Sequence, residues 1–162
     1  MSDTVVLYVT RDGHSRALAL DLGARLGAGV LEIGDLVNRK GLFGWIKTGR
    51  QASMLQATPI REPTIDLKAV KTVVLVQPVW ASAVCPPVRS WLRSKAKELA
   101  GKKGAVLASA YGTPAAGIRA KFESEFGGDI GRLAACAVVQ RKDDEALRGA
   151  TVEAFLAELA QA

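Results

Sequence analysis

The sequence predicts an α/β fold: one domain over residues 1–162, built on an open, doubly wound sheet of five parallel strands with helices on both faces. Three observations carry this expectation. Apolar runs rich in β-branched residues recur along the chain, and they are apolar at odd and even positions alike, as strands covered on both faces must be. Between them lie segments with leucines or phenylalanines at helical spacing, and strands alternating with helices imply parallel pairing through right-handed crossovers. The 162 residues, 49% hydrophobic and 23% charged, suit one domain with a full core.

The elements follow in order. "TVVLYVT" is the first strand. "HSRALALDLGARLGA" places Leu18, Leu22 and Leu26 on one helical side and ends on the stop signals Gly27 and Gly29. "VLEI" is a short second strand and "KTVVLVQPV", Lys71 to Val79, the third. "PPVRSWLRSKAKELAGK" begins with prolines in a first helical turn, where the missing N–H costs nothing, and Val88, Leu92 and Leu99 mark its apolar side. "GAVLASA" is the fourth strand. "PAAGIRAKFESEFG" is a helix with Ile118, Phe122 and Phe126 at i, i+4 and i+8. "LAACAVV" is the fifth strand, and "DDEALRGATVEAFLAELA" closes the chain as a helix with acids in its first turn. The segment from Leu36 to Leu67 breaks the rhythm. It is too long for a plain loop and is expected to hold a helix around Leu42 to Leu55 and an extended return, "TPIREPTI".

Composition narrows the function classes. No run approaches the roughly 20 apolar residues of a membrane span. The start, "MSDTVVLYV", lacks the basic segment and cleavage site of a signal peptide. Cys85 and Cys136 make no disulfide framework, and with a single histidine, His14, no metal site is expected. A cytoplasmic protein with reduced thiols is the expectation. The net charge of +6 favours acidic partners, but neither zinc-finger spacing nor an RNP-type aromatic strand accompanies it, so nucleic acid is not expected.

In such sheets ligands sit beyond the carboxyl ends of the strands, where strand order reverses. Three loops leave those ends. "TRDGHS", Thr10 to Ser15, has a hydroxyl at each end, a glycine in the middle and a helix N-terminus behind it, a pattern that converges hydroxyls and N–H groups on an anion. It is also what an ordinary capped strand–helix turn looks like. It is neither a G-x-G-x-x-G fingerprint nor a P-loop. "QPVWASAVCPPVRSW" leaves Trp80 after a buried strand among Ala81, Ser82 and Ala83, so a planar ligand could lie on the indole against bare backbone. "SAYGT" repeats the arrangement with Tyr111. No side chain stands out as acid, base or nucleophile. Cys85 reads as a small buried filler at a helix start, and Cys136 as core.

At these residues the chain resembles the flavodoxin-like family. Members open with a strand and a loop of hydroxyl residue, any residue, Thr, Gly, Asn or Gln, and hydroxyl residue, and Thr10, Arg11, Asp12, Gly13, His14 and Ser15 fall on it. "PVWASAVCPPVRSWL" is similar to the tryptophan-to-double-proline loop and helix of many bacterial members, "KGLFGWIKTGRQA" to a glycine-punctuated basic stretch before it, and "ASAYGT" to the third flavin loop. The resemblance implies strand order 2-1-3-4-5 and FMN as cofactor. It implies a site made of Thr10, Arg11, Asp12, Gly13, His14 and Ser15 at the phosphate, and of Pro78, Val79, Trp80, Ala81, Ser82, Ser109, Ala110, Tyr111 and Gly112 along the ring. Asp12 stands where the family has threonine and His14 where it has asparagine. "TRDG" nevertheless resembles the phosphate loop of the FMN-bearing, quinone-linked protoporphyrinogen oxidases of bacteria. An aspartate there can turn its carboxylate onto N–H groups of its own turn, with Arg11 and Arg16 compensating its charge.

The implied function is an FMN-binding redox protein, an electron carrier or a small reductase of quinone-like substrates. A haem-synthesis enzyme of the protoporphyrinogen-oxidase type and a binding module with weakened or lost FMN remain alternatives. Between Leu36 and Arg61 the chain carries Arg39, Lys40, Lys47, Arg50 and Arg61 and no acid, and the helix after the third strand adds Arg89, Arg93, Lys95 and Lys97. An acidic redox partner or an anionic membrane surface is the expected partner. By helical spacing alone, Leu42, Trp45 and Ile46 are expected to pack onto the sheet or across a homodimer contact.

Overall fold

The computed structural model describes residues 2–130 and 133–162, without the side chains of residues 126–130. The central sheet comprises β1 (Thr4–Tyr8), β2 (Gly29–Glu32), β5 (Thr72–Pro78), β6 (Lys103–Ala110) and β7 (Ala135–Gln140), in the order β2-β1-β5-β6-β7. Every pairing is parallel. Counting these five alone, the order is the expected 2-1-3-4-5. A second sheet of two residues per strand, β3 (Gly34–Asp35) antiparallel to β4 (Ile60–Arg61), forms within the irregular segment. Two-residue strands carry no periodicity, so this sheet had no signature in the sequence.

The side-chain alternation of each strand explains the two-faced burial. Val5, Leu7, Val73, Leu75, Val106 and Ala108 join one core, with Val88, Trp91, Leu92 and Leu99 of α3 (Pro86–Leu99) and Ile118 and Phe122 of α4 (Ala115–Ile130). Val6, Tyr8, Val74, Val76, Ala105 and Leu107 join the other, with Leu18, Ala19 and Leu22 of α1 (His14–Leu26) and Val152 and Phe155 of α5 (Glu145–Gln161). The side chain of Phe126, expected on the same row as Ile118 and Phe122, lies outside the described residues. α1 ends as its glycine predicts: Gly27 takes φ +58°, a left-handed cap. α5 begins at Asp144, whose carboxylate accepts from Leu147 N at 2.8 Å.

The helix expected around Leu42 to Leu55 is α2 (Gly41–Ser53), but it is turned the opposite way to its hydrophobicity. Its buried residues are Gly44, Thr48 and Ala52, one small residue per turn. Leu42, Phe43, Trp45 and Ile46 are 70, 87, 65 and 52% exposed. The expectation that Leu42, Trp45 and Ile46 pack onto the sheet is therefore corrected. The reason is steric: a Cβ on Gly44 would lie 2.4 Å from the Arg39 carbonyl carbon, so α2 approaches the chain through the one face that has almost no side chains.

Two arginines counted as partner-facing charge are also corrected. Arg39 is buried and ion-paired with Asp35, and Arg89 is buried and ion-paired with Glu125. Lys95 is spent on Glu62 and Glu98 at 3.1 and 3.6 Å. Lys40, Lys47, Arg50 and Arg61 remain exposed.

Candidate functional site

Strand order reverses between β1 and β5, and the loops that follow these two strands flank a cleft of about 840 Å³. That volume is within the usual range for small-molecule sites. Its walls are Arg11 and Asp12, Pro78 to Ala81, Ser109 and Tyr111, with Arg141 at one side and Trp45, Ile46, Thr48, Gly49 and Arg50 of α2 at the other. Eight of the residues singled out in the sequence thus share one cavity: Arg11, Asp12, Pro78, Val79, Trp80, Ala81, Ser109 and Tyr111. The other seven do not line it. Gly112 and Ser82 are exposed on turns, Ala110 and Ser15 are buried beneath the site, and Thr10, Gly13 and His14 shape the first loop.

The first loop is closed on itself. Thr10 Oγ1 accepts from Gly13 N at 2.9 Å, and Asp12 Oδ1 accepts from His14 N at 3.2 Å. Gly13 takes φ +89°, a conformation an L side chain adopts at a cost, and this glycine is the N-cap of α1. Gly13 makes no side-chain cap, so the N–H groups of Ser15 and Arg16 keep the unpaired character of a helix start. Asp12 braces its own turn.

The charge beside Asp12 comes from Arg141, not from Arg11 or Arg16. Arg141 pairs with the Asp12 carboxylate, donates through Nε to the Tyr111 hydroxyl at 3.1 Å and lies 5.2 Å from the Tyr111 ring centroid. Arg11 instead donates to the Arg39 carbonyl at 2.8 Å. Hydrogen bonding from the Arg141 guanidinium holds the Asp12 carboxyl below the usual carboxylate range. Burial, followed by Arg141 and Arg148, lowers the His14 imidazole from its ordinary value and favours the neutral ring. Its Nε2 is buried without a hydrogen-bond partner among the described residues.

The Trp80 loop is a tight hairpin. Ala83 N donates to Trp80 O at 3.0 Å, and Ala81 and Ser82 hold φ of +50° and +53°. Two successive non-glycine residues in the left-handed region are costly, and they persist because the flanks are pinned. Gln77, fully buried, accepts from Cys85 N at 2.8 Å, and Val79 N donates to Ser109 O at 2.8 Å. Lys121 donates to Ser82 O. Arg89 Nη2 donates to Val84 O at 3.1 Å while its head is held by Glu125. Behind the indole, Arg39 stacks 4.9 Å from the ring centroid and reaches Thr48 and Gln51 of α2 at 3.2 and 3.0 Å. Burial pushes the Cys85 thiol up to about 12 and Cys136 to about 11, so neither is a thiolate at neutral pH.

Sequence reasoning missed the fourth loop. Gln140, at the end of β7, accepts from Gly112 N at 2.6 Å and donates to Thr113 O at 3.0 Å, fixing the Tyr111 turn, and Arg141 follows it into the cleft. The only trace in the sequence is polar "QRKDD" after a fifth strand.

Neither a protein-family model nor a curated protein matches the sequence. Solved structures do. A flavoprotein of Lactobacillus acidophilus NCFM, solved in complex with FMN, matches with a TM-score of 0.73 at 14% identity, over 96% of this chain and 99% of that one. The oxidised flavodoxin 2 of Bacillus cereus matches with a TM-score of 0.55 at 16% identity, over 98% and 97%. The Streptococcus pneumoniae TIGR4 flavodoxin matches with 0.54 at 13%, over 98% and 97%. The fold is flavodoxin-like. In this fold the loops after β1, β5 and β6 meet at one end of the sheet, and here they enclose the aromatic and cationic cleft just described.

Proposed function

We propose that the cleft binds FMN and that the protein is a flavin-dependent redox protein, an electron carrier or a small reductase of quinone-like acceptors. The observation that carries this reading is the composition of one cavity. Flat aromatic surfaces, Trp80 and Tyr111, share it with the guanidinium groups of Arg11, Arg50 and Arg141, and the free N–H groups of the α1 start lie behind its first loop. A planar ring bearing a dianionic tail fits that set. Bound FMN would supply the electron-transfer chemistry. The chain's own residues would do the rest. Trp80 and Tyr111 would hold the ring, with the backbone of Pro78 to Ala81 along its edge. Arg11, Arg141 and the α1 N–H groups would hold the phosphate. The match to an FMN-bound flavoprotein supports the same ligand.

Titration of the purified protein with FMN, riboflavin and FAD is the test. FMN is expected to bind tightest; riboflavin binding as well as FMN would remove the phosphate loop from the site. One observation favours a second reading, a module of the same fold with weakened FMN affinity. Gly13 and His14 already spend their N–H groups on Thr10 and Asp12, and Arg141 is already paired. Protein that stays colourless with excess FMN would select this reading.

A further inference from the structure

We propose that α2 is a docking helix that seats its Leu42, Phe43 and Ile46 side in an anionic membrane surface, with the mouth of the cleft turned toward the lipid. This does not depend on which ligand the cleft holds. α2 is assembled inside out. At about 100° per residue its small residues, Gly44, Thr48 and Ala52, form the row against the protein, and Leu42, Phe43 and Ile46 fall on the opposite side. The tight approach at Gly44 prevents the helix from rolling to hide them, because any side chain there would meet the Arg39 backbone. An exposed apolar row of this kind marks an interaction surface.

Charge selects the occupant. Lys40 and Lys47 are exposed beside the row, and no acidic residue occurs between Leu36 and Arg61. A two-fold contact through this face would set lysines of one copy near cations of the other with no acid in the segment to pair them, which disfavours a homodimer here. An anionic bilayer accepts both features, since apolar side chains enter the acyl boundary while lysines stay at the headgroups. Trp45, exposed on the flank of α2 between the two rows, lines the cleft, and an indole suits the same interface. A membrane-dissolved acceptor would then meet the cleft where it opens.

The experiment is flotation of the full chain with vesicles of phosphatidylcholine alone, or mixed equally with phosphatidylglycerol. The expected result is binding to the anionic vesicles at least about tenfold tighter than to the neutral ones, weakening as salt rises from ~0.05 to ~0.5 M. Phe43→Asp with Ile46→Asp should abolish it, with an unchanged far-UV spectrum confirming the fold, since both side chains are exposed. Lys40→Glu with Lys47→Glu should weaken it at least about tenfold, while Lys68→Glu with Lys103→Glu, an equal charge change at the amino-terminal ends of the strands, should change it less than about threefold. No binding to anionic vesicles would overturn the proposal, as would equal losses in the two charge variants. So would a dimer that Phe43→Asp with Ile46→Asp dissociates, or polyglutamate binding in the absence of vesicle binding, which would point to an acidic protein instead.

Discussion

Replacement of Arg39 by methionine would test how the site is held together. The Arg39 side chain is 4% exposed and pairs with that of Asp35, which is 14% exposed. It also donates to Thr48 and Gln51 and covers the Trp80 indole. Methionine keeps most of the stem but strands Asp35 in a poorly solvated position. Removing one partner of a buried pair costs about 3–5 kcal/mol, most of it the penalty of the charge left behind. Against a typical total of about 5–15 kcal/mol this is a large fraction, and it should lower the melting temperature by about 10 °C for a chain of this size. The assay is urea unfolding of Arg39→Met, Asp35→Asn and the double variant. The double variant should recover at least about half of the loss, because the stranded charge is gone. Arg39→Lys should fall between, keeping the charge but losing the forked hydrogen bonds. A loss below about 1 kcal/mol in Arg39→Met, or a double variant no more stable than the single, would refute this account of the Arg39 cluster.

Further outcomes follow from Trp80, Asp12 and His14. Trp80→Ala should weaken FMN by about 1 kcal/mol through loss of ring contact, measured by flavin fluorescence; unchanged affinity would remove Trp80 from the site. Asp12→Asn should weaken FMN or leave it flat, because Asp12 braces the turn at His14 N, and a tenfold gain, about 1.4 kcal/mol, would show the carboxylate opposing the phosphate instead. The Asp12 carboxyl is lowered in the folded state, so its share of stability is present above about pH 4 and fades as pH falls through the lowered value. His14, the chain's one histidine, is lowered by burial and two arginines, so the unfolded chain takes up its proton more readily and stability falls as pH drops from about 6.5 through the lowered value. A bound phosphate should raise its pKa, read from the single imidazole resonance in the NMR spectrum; a titration unmoved by FMN would place the phosphate elsewhere.

The five parallel strands, their helices and the loops beyond their carboxyl ends were legible in the sequence because each rests on local signals. Both-face apolar runs, leucines at helical spacing, Gly27 after α1 and the prolines opening α3 all act over a few residues. The Thr10 to Ser15 and Trp80 loops were legible for the same reason, as was the burial of Cys85 and Cys136. What the sequence could not determine were long-range choices. Whether Arg39 and Arg89 meet water or a carboxylate depended on Asp35 being placed by a two-residue strand and Glu125 by a helix 36 positions away. The cation beside Asp12 proved to be Arg141, which lies 129 positions along the chain. The orientation of α2 was the largest reversal. Spacing alone puts Leu42 and Ile46 inside, but a helix can press its Gly44, Thr48 and Ala52 row tightly against backbone, and tertiary close packing, not hydrophobicity, decided which side faced in.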